Sequence, residues 1–384
     1  MNILEEIQSC SVEWKELGEV VDYEQPTKYI VSSKAYTDSN EIPVLTAGQS
    51  FILGYTNEKD GIYQASKNNP VIIFDDFTTS KQWVDFKFKV KSSAMKMLTI
   101  KDEFKSEVLL RYVWHYLGTI NYKPDQHGRQ WIGTYSKFLI PIPPLEIQEK
   151  IVQILDKMTE YVTELTSELT SELTSRKKQY SYYRDTLLSF EDEVYQVEWK
   201  TLGEVAENLD NMRKPVAKGG RSLGIYPYYG ASGIVDYVDS FIFDGDYLLI
   251  SEDGANLVVR KTPIAFSISG KTWVNNHAHV LKFDNIINQK FVNYYLNYLD
   301  LSPYITGAAQ PKLNQQNLNN IKIPYPSLEI QSRIVQVLDN FDKVCNDLNI
   351  GLPKEIELRQ KQYKYFREKL LTFVAEGEYT ESRV

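Results

Sequence analysis

Apolar side chains recur at coiled-coil spacing in a segment that begins just after Pro143-Pro144. From Leu145 onward, apolar or aromatic residues stand at positions 151, 155, 158, 162, 165 and 169, at intervals that alternate between four and three residues. This alternation is typical of the seam along which one long helix packs against another. The pattern therefore predicts a long helix that has a helical partner.

The partner is predicted by a second copy of the same pattern. "LEIQEKIVQILDKM" at 145–158 returns as "LEIQSRIVQVLDNF" at 328–341, and "RKKQYSYYRDTLLSF" at 176–190 returns as "RQKQYKYFREKLLTF" at 359–373. Ser327 is a suitable N-cap for this second helix. Gly351-Leu352-Pro353 interrupts it, so we expect a break near 350–353. In the first helix the tetrapeptide Glu-Leu-Thr-Ser, written three times over 164–175, fills the corresponding length.

The segments before the helices are duplicated as well. "VEWKELGEV" at 12–20 returns as "VEWKTLGEV" at 197–205, and each copy is followed by a long stretch of unlike sequence. Such an order indicates an internal duplication. Because each variable segment lies between the two helices along the chain, we expect the helices to pack antiparallel as a spacer between two globular domains.

The variable segments have the patterns of mixed α and β structure. In the first we predict strands at 71–77 and 85–91 and a helix at 104–118. In the second we predict a hairpin over 237–251 around Asp244-Gly245, strands in "IAFSIS" and "TWVNNHAHVLKF", and a helix at 290–300. The strands "FLIPIPP" and "IKIPYP" lead out of the two segments. The fold class is thus α+β, with two similar mixed α/β domains, a pair of long antiparallel helices and an internal pseudo-twofold repeat.

The duplication also predicts the domain boundaries. They are a first variable domain at 1–142, a spacer helix at 143–190, a second variable domain at 191–325, a second spacer helix at 326–375 and a C-terminal tail at 376–384.

Composition and charge narrow the class of protein. The chain has 384 residues, a net charge of −8 and two cysteines, Cys10 and Cys345, which match no metal or redox spacing. The acidic excess is concentrated around the first long helix, and the variable segments are close to neutral. No apolar run is long enough to span a membrane and the first residues are acidic, so we expect a cytoplasmic protein.

The motifs of catalysis are absent from the sequence. Ser269-Gly270-Lys271-Thr272 resembles the end of a phosphate loop, but Ala265 stands where the loop needs its first glycine. His277 and His279 alternate on one predicted strand, yet no third ligand recurs at metal spacing, which favours structural or hydrogen-bonding histidines. We therefore predict a binding protein with no catalytic residue, no metal and no cofactor of its own.

Two basic segments suit a phosphate backbone. In "FKFKVK" three lysines alternate with apolar residues, so a strand would present them along one face; the alternative is an edge strand that lysines protect from aggregation. "NMRKPVAKGGRSLG" contains four cations and no acid, with an ordinary solvated loop as the alternative. Tyr, Asn, Gln, His and Arg in nearby loops add donors and rings that suit base edges. The candidate DNA-contacting residues are Lys87, Lys89, Lys91, Arg129, Gln130, Tyr135, Arg213, Lys214, Lys218, Arg221, Tyr228, Asn256, Lys271, Asn276, His277, Gln310 and Lys312.

The seams of the two helices supply a second set of candidates, for helix pairing and for docking of partner subunits. They are Leu155, Val162, Leu165, Leu169, Leu173, Tyr180, Tyr183, Leu187, Leu338, Phe341, Tyr363, Phe366 and Leu370.

Together these motifs resemble the DNA-specificity subunit of type I restriction-modification systems. The resemblance rests on the opening motifs around Trp14 and Trp199, on the exits "IPIPPLEIQ" and "IPYPSLEIQ", and on the helix ends "RKKQYSYYRDTLL" and "RQKQYKYFREKLL". It covers essentially the whole chain. The first helix departs from the family pattern because it lacks the Gly-Leu-Pro break that the second helix keeps.

The resemblance implies two target-recognition domains, each reading one half of a bipartite double-stranded DNA site. It implies two methylation subunits, which bind S-adenosylmethionine and modify adenine N6, docked on the helices and domains. Two motor-nuclease subunits that use ATP and Mg²⁺ would join them. This chain itself would be non-catalytic and bind none of these cofactors, and its partners would supply many of the phosphate contacts.

The tetrapeptide repeat suggests a role in spacing. One added Glu-Leu-Thr-Ser tetrapeptide, here called a word, lengthens a helix by about 6 Å and rotates the rest of the helix by about 40°. DNA turns by about 34 to 36° per base pair. We hypothesise that the number of words sets the gap between the half-sites; the alternative is that any amphipathic helix would serve. Two other classes remain open from the residues alone: a coiled-coil adaptor whose variable domains bind proteins or glycans, and a self-sufficient methyltransferase, against which the missing motifs weigh.

Overall fold

The computed structural model describes residues 3–46, 51–124, 128–190, 197–307 and 310–373. The chain forms two compact units. Unit 1 contains the residues up to Ser167 and those from Glu357 onward, and unit 2 contains Glu168–Ile356. The predicted tail at 376–384 lies outside the described residues.

Unit 1 is built on a four-stranded sheet in the order β2-β8-β5-β6, accompanied by a three-stranded sheet β4-β3-β7 and a two-stranded sheet β1-β9. Its strands and α-helices are α1 (Ile3–Ser9), β1 (Glu13–Glu16), α2 (Leu17–Val20), β2 (Val21–Glu24), β3 (Ile42–Leu45), β4 (Ile52–Thr56), β5 (Val71–Asp75), β6 (Lys81–Val84), β7 (Lys89–Val90), β8 (Met95–Ile100), α3 (Leu110–Leu117), β9 (Leu139–Ile142), the first half of α4 (Leu145–Leu188) and most of α10 (Leu352–Leu371).

Unit 2, which also contains the second half of α4, has the same strand order in its main sheet, β11-β18-β15-β16, and in its two-stranded sheet, β10-β19. Its remaining sheet, β13-β12-β17-β14, has one strand more than that of unit 1. Its elements are β10 (Glu198–Thr201), α5 (Leu202–Val205), β11 (Glu207–Asn208), β12 (Leu223–Gly230), β13 (Gly233–Val238), β14 (Phe243–Asp244), β15 (Tyr247–Ser251), α6 (Asn256–Val259), β16 (Ala265–Ile268), β17 (Lys271–Val274), β18 (Ala278–Lys282), α7 (Ile286–Tyr298), α8 (Gln315–Asn319), β19 (Lys322–Tyr325), α9 (Leu328–Asn346) and the start of α10 (Leu352–Leu371). The duplication therefore extends through the segments whose sequences differ.

The opening motifs are repeated because each closes its unit in the same way. β1 pairs antiparallel with β9 and β10 pairs antiparallel with β19, so each motif lies against the strand that leads into a spacer helix. Glu19 and Glu204 each accept a hydrogen bond from the backbone N–H three residues earlier, as in a capping box. A Cβ on Gly18 would lie 3.0 Å from the Cβ of Ser136, which explains the glycine of the motif.

The glutamine of "LEIQ" ties the start of each spacer helix to its domain. Gln148 is fully buried; its Nε2 donates to the Glu107 and Pro143 carbonyl oxygens, and its Oε1 accepts from the Leu109 N–H. Gln331 donates to the Pro326 carbonyl at 2.9 Å in unit 2. A buried amide that satisfies backbone groups on two elements fixes their relative position.

The helices of each unit pack antiparallel, as the sequence predicts. In unit 1, Ile151 and Leu155 near the start of α4 share a core with Leu370 and Leu371 at the end of α10. In unit 2, the end of α4 packs on the first half of α9, where Leu188 joins Ile334 and Leu338 in the core. Aromatic side chains extend this contact, because the ring of Tyr183 stacks on that of Phe341 with centroids 5.4 Å apart.

The two spacer helices differ in continuity. α4 runs without interruption through the three Glu-Leu-Thr-Ser words, whose leucines are half-buried. The other helix is broken between α9 and α10, which confirms the predicted break. At the break, the Gly351 N–H donates to the Asp347 carbonyl, and a Cβ on Gly351 would lie 2.5 Å from the Lys343 carbonyl oxygen.

Three local predictions are wrong. The strand predicted over 85–91 is only the two-residue strand β7. The helix predicted over 104–118 is shorter than expected, because α3 covers only Leu110–Leu117. The hairpin over 237–251 does not form, because the chain changes sheets at Asp244-Gly245: β14 pairs with β17, while β15 pairs with β16 and β18. A local turn signal carries no information about which sheet the next strand joins.

None of the helices in the described part combines the length and apolar character that a membrane span needs.

Candidate nucleic-acid interface

Three loops of unit 2 meet around Glu252, directly after β15. The Glu252 N–H donates to the His277 carbonyl at 2.9 Å, and the Glu252 carbonyl accepts from the Leu313 N–H at 2.8 Å. The Gly254 N–H donates to the Pro311 carbonyl at 3.1 Å. Backbone hydrogen bonds thus hold segments distant in sequence side by side at one end of the sheet.

Glu252 receives two cations, Lys312 from one of these loops and Arg213 from the segment that follows β11. Arg213 donates to its carboxylate at 2.6 Å, and Lys312 Nζ lies 3.1 Å from it. Burial alone would raise the pKa of Glu252, but the hydrogen bond from Arg213 and the neighbouring cations hold that pKa below its usual range. The carboxylate therefore stays charged while it is largely buried.

His279 and Asp210 form a second buried pair beside Glu252. Nδ1 of His279 lies 2.6 Å from the Asp210 carboxylate, and Nε2 lies 2.7 Å from the Leu313 carbonyl oxygen. Partners on both ring nitrogens therefore fix the orientation of the His279 ring. Burial opposes the charge on Asp210, but its hydrogen bond with His279 and the one from the Val280 N–H lower its pKa overall. His279 is thus a structural residue, as the sequence favours.

An exposed polar surface covers this buried network. His277 is exposed and contacts the Asp253 carboxylate through Nδ1 at 2.7 Å. The Lys214 carbonyl accepts from the Trp273 indole at 2.7 Å, which fixes the basic loop next to the same strands. We call this surface the polar face of unit 2. It comprises Lys214, Asn276, His277, Gln310 and Lys312.

Two other predicted contacts of unit 2 are also exposed. Lys218 and Lys271 both face solvent, and Lys271 Nζ lies 4.7 Å from the centre of the Phe241 ring.

Several predicted contacts in unit 2 are internal instead. Arg213 has 13% of its side chain exposed and is held by two carboxylates. Tyr228 is fully buried, with its hydroxyl bonded to the Val216 backbone, and Arg221 stacks on the Tyr228 ring and pairs with Asp236. The Asn256 side chain bonds to the Thr262 backbone. These residues build the loops rather than offer free groups to a ligand.

Unit 1 has a corresponding buried carboxylate, Asp76, directly after β5. Its carbonyl accepts from the Gln130 N–H at 2.8 Å, and its Oδ1 accepts from the Gln130 and Trp131 N–H groups. Its Oδ2 lies 3.5 Å from Arg129 Nη1 and 3.6 Å from Lys96 Nζ. Arg129 is exposed, whereas Lys96 is fully buried.

Strand register shows that the two carboxylate centres are equivalent. Lys96 pairs with Phe74 on β5, two residues before Asp76, and His279 pairs with Ile250 on β15, two residues before Glu252. Arg129 and Lys312 likewise precede the residues whose N–H groups bind the carbonyls of Asp76 and Glu252. In the sequence, each centre is marked by two adjacent acids at the end of an apolar strand, Asp75-Asp76 and Glu252-Asp253. The sequence alone assigned these acids no role.

The predicted row of lysines in unit 1 does not exist as a row. Lys87 and Lys91 are exposed, but Lys89 is 3% exposed, lies 3.0 Å from the Glu58 carboxylate and donates to the Asp60 carbonyl. The prediction of a shared face is wrong because the strand is too short to keep the alternation.

Two further candidates of unit 1 are internal. Gln130 is buried and accepts from the Tyr122 hydroxyl through Oε1, and Tyr135 packs on the Phe74 ring in the core. Arg129 is thus the exposed member of its predicted cluster.

The polar face of unit 2 combines cations with amide and imidazole donors at one end of a sheet, and unit 1 exposes the guanidinium of Arg129 at the equivalent end. Such groups bind phosphates and the edges of bases. Among the residues that the structure describes, no group of three His, Cys, Asp or Glu side chains is arranged to hold a metal ion. The arrangement is suited to recognition.

Exposed aromatic pairs form a second kind of surface on the spacer helices. Tyr182 and Tyr183 on α4 have ring centroids 5.5 Å apart, and so do Tyr365 and Phe366 at the corresponding position of α10. All four side chains are between 40% and 67% exposed. Aromatic side chains are enriched where proteins bind each other, and this surface occurs once in each half of the duplication.

Comparison with known families agrees with the duplication. The sequence model of the family described as type I restriction modification DNA specificity domain matches residues 11–175 and again 196–358. The specificity subunit of the type I restriction enzymes EcoR124I/EcoR124II from Escherichia coli is 43% identical over 403 residues, covering 97% of each chain. A putative type I specificity subunit from Mycoplasma pneumoniae is 34% identical over 252 residues, covering 61% of this chain and 96% of its own.

Solved structures share the fold at low sequence identity. The S subunit of a type I restriction-modification system from M. genitalium has a TM-score of 0.57 and 16% identity, with 96% of this chain and 98% of that chain covered. A chain from a structural study of complex assembly and conformational transition of the type I R-M system has a TM-score of 0.58 and 17% identity, with 95% and 98% covered.

Proposed function

The chain belongs to the family of type I restriction-modification DNA specificity subunits, and from this premise we propose that each unit reads one half of a bipartite double-stranded DNA site. Unit 2 would read its half-site with its polar face, and unit 1 with the surface around Arg129. The observation that carries this proposal is the pair of equivalent carboxylate centres, Asp76 and Glu252, each of which holds a cation at the same end of the same sheet.

The chemistry of the exposed groups supports a division of labour. Lys214, Lys218 and Lys312 have flexible ammonium groups that suit phosphates, whereas Asn276 and Gln310 have amides that suit adenine edges. Arg129 has the forked donor that suits guanine. The buried carboxylates set the directions of Arg129 and Lys312 without themselves facing the DNA, because a carboxylate on the surface would repel phosphates.

We propose that the aromatic pairs on α4 and α10 each dock one methylation subunit. Two equal surfaces fit two copies of one partner. These partners would bind S-adenosylmethionine and methylate adenine, and two motor-nuclease subunits would bring ATP and Mg²⁺; the specificity chain contributes recognition and assembly. Replacing Tyr182 or Tyr365 with alanine should weaken binding of one methylation subunit, and the double variant should lose both.

The experiment that tests DNA reading is methylation mapping. The chain is assembled with its methylation subunits, and genomic methyladenines are located for the wild type and for the Asn276→Ala variant. We expect one bipartite sequence for the wild type and relaxed specificity in one half-site for the variant. Two results would support the adaptor alternative instead: loss of sequence preference in both half-sites, or no binding of the assembly to any DNA duplex at any salt concentration.

The spacing role of α4 is tested by removing one Glu-Leu-Thr-Ser word, residues 168–171. Because α4 is helical through the whole repeat, the deletion shortens it by about 6 Å. We expect methylation of the same two half-sites with a changed gap. Unchanged half-sites with an unchanged gap would refute the spacing role.

A further inference from the structure

Two cationic side chains of unit 1 converge on Gly118, the residue that follows α3. If Gly118 carried a Cβ, that atom would lie 2.8 Å from Arg367 Nη1 and 2.9 Å from Lys81 Nζ. Lys81 begins β6 and Arg367 lies on α10, so different elements bring the two cations to a position where the chain has no side chain. Both nitrogens can approach the backbone this closely because residue 118 is a glycine.

A third cation lies next to this pair. The guanidinium of Arg111 stacks 4.2 Å from the Trp114 ring centre and 4.6 Å from that of Trp83. Lys81 Nζ lies 4.8 Å from the same Trp114 ring. The aromatic walls hold the cations in place and reduce their hydration.

The cluster has more positive than negative charge. Asp156 accepts from Arg111 Nε at 2.8 Å and also contacts His115 Nε2 at 2.8 Å. Burial lowers the pKa of His115 to about 4 despite this contact, so the ring adds no charge near neutral pH. Within the described part of the chain, neither Lys81 nor Arg367 forms an ion pair.

The cluster also has unused hydrogen-bond donors. Arg367 Nε and Trp114 Nε1 are buried, and neither finds an acceptor among the described residues. A buried donor without an acceptor costs about 1 to 3 kcal/mol. Burial and the nearby Arg367 and Arg111 groups lower the pKa of Lys81 well below its usual value, as expected where no anion is close. An oxyanion beside Gly118 would supply the counter-charge that Lys81 and Arg367 lack.

The described residues of unit 2 form no such cluster at the equivalent place. Lys81 pairs with Phe74 on β5, whereas the equivalent Ile250 on β15 pairs with Ala265. Arg184, which corresponds to Arg367 in the repeated helix motif, is neutralised by Asp185 at 2.7 Å. The shared scaffold therefore does not require the three cations.

The position of the cluster indicates which anion it meets. Lys81 pairs with Phe74, two residues before Asp76, so it lies one strand away from the centre that holds Arg129. Neighbouring strands are about 4.8 Å apart. The cluster is thus at the same end of the sheet as the surface proposed to read bases.

We infer that Lys81, Arg367 and Arg111 form a binding site for one backbone phosphate of the DNA half-site read by unit 1. This inference rests on the proposed function, because it places the phosphate beside the base-reading surface. A phosphate contact on one unit alone would anchor the DNA asymmetrically.

The first test measures the salt dependence of DNA binding by the chain assembled with its methylation subunits. Each phosphate contact contributes about one unit to the slope of log affinity against log salt concentration. We expect Arg367→Gln to reduce the slope by about one and to weaken binding several-fold at low salt. The matched control, Arg184→Gln, should leave the slope unchanged, because Arg184 stands at the corresponding helix position of the other unit, where Ala265 takes the place of Lys81.

A second variant separates the site from the packing of α10. Gly118→Ala keeps every charge, and the backbone at Gly118 has φ −77° and ψ −12°, which alanine adopts readily. Its methyl group would lie too close to Arg367 Nη1 and Lys81 Nζ and would displace these flexible side-chain ends, so we expect weaker DNA binding with unchanged assembly and unchanged thermal stability. Wild-type affinity and slope in both Gly118→Ala and Arg367→Gln would overturn the inference.

The phosphate itself is identified with duplexes that carry one neutral methylphosphonate at successive positions. With the methylphosphonate at one position flanking the half-site of unit 1, the wild type should bind more weakly than it binds the unmodified duplex. The Arg367→Gln variant should bind this duplex and the unmodified duplex equally well. If Arg367→Gln instead weakens binding of the methylation subunit and leaves the salt slope intact, the anion is a carboxylate of that partner and the inference is wrong. If the wild-type assembly shows no sequence-specific binding, the proposed function fails and not this site alone.

Discussion

The buried carboxylate centres of the two units occupy the same place in the same fold but are built from different residues. In unit 1, Asp76 faces buried Lys96 at 3.6 Å and exposed Arg129 at 3.5 Å, so its ion pairs are loose. In unit 2, Glu252 receives Arg213 at 2.6 Å, and His279 and Asp210 form a further pair beside it. One centre has a single carboxylate and the other has two.

This difference shows what the duplication preserves. Sheet order, opening motif and helix anchors are repeated, because both units must close in the same way and meet a spacer helix. The charges next to the exposed surfaces are not repeated, in keeping with the proposal that each surface reads its own half-site. Substitutions in each carboxylate centre can test whether the two centres contribute equally to the stability of their units although they are built from different residues.

The largest effect is expected from Asp76→Ala. This change leaves Lys96 buried without its counter-charge and removes the acceptor for the Gln130 and Trp131 N–H groups. Breaking a buried pair in this way costs about 3 to 5 kcal/mol of the free energy of unfolding. Urea unfolding, with hydrogen exchange of β5 and β8 to locate the loss, measures it. Asp253→Ala, beside the equivalent centre, is the control; an equal loss in both variants would refute the assignment.

A smaller effect is expected from Glu252→Gln in unit 2. Arg213 keeps Asp210 at 3.3 Å as a second counter-charge, so it is not left unpaired. The loss should be about 1 to 3 kcal/mol, typical of a hydrogen bond to a charged group. The same urea unfolding applies, with exchange followed in β15 and β18. A cost above that of Asp76→Ala would reverse the comparison.

Acid should destabilise the units in sequence. The pKa of His115 falls from 6.5 to about 4 on folding. Between these pH values the His115 ring is protonated in the unfolded chain but stays neutral in folded unit 1, so a fall in pH favours the unfolded chain. The stability that His115 contributes is lost progressively from pH 6.5 down to about 4. In unit 2 the pKa values of Asp210 and Glu252 are lowered, so their contribution is lost only at more acid pH, as the pH falls through the folded values.

Hydrogen exchange at a series of pH values distinguishes the two units. Amides of α3 should lose protection before those of β15 and β18. The variant His115→Gln should remove the early loss in unit 1, although its stability at neutral pH is lower. Simultaneous loss in both units would contradict the assignment.

The smallest effect on stability is expected from Lys312→Ala and Arg129→Ala. Both cations are exposed enough that each should contribute less than about 1 kcal/mol to the free energy of unfolding. Their effect should appear in DNA binding instead. Lys312→Ala should reduce the salt slope by about one, and Arg129→Ala should relax specificity at one base pair. A change in thermal stability without a change in binding would make them structural residues.

Repetition in the sequence predicted the architecture but not the surfaces. The long helix that begins at Leu145, the break at Gly351 and the Ser327 cap follow from local physical rules, and the structure has all three. Lys89 was misplaced because alternation was extended beyond a strand of two residues. The partnership of Asp210 with His279 joins residues far apart in sequence, so no local pattern predicts it.

The division of α4 and α10 between the two units has a consequence for the inheritance of new specificities. Unit 2 is one uninterrupted stretch, Glu168–Ile356, inserted into unit 1, and both of its boundaries fall within helices. A genetic exchange that replaces this stretch transplants a whole reading unit through two junctions. Each junction lies in a helix, so a recombinant that adds or removes residues there rotates the part of the helix beyond the junction. Unless the number of residues corresponds to whole helical turns, the apolar side of that part would no longer face its partner helix.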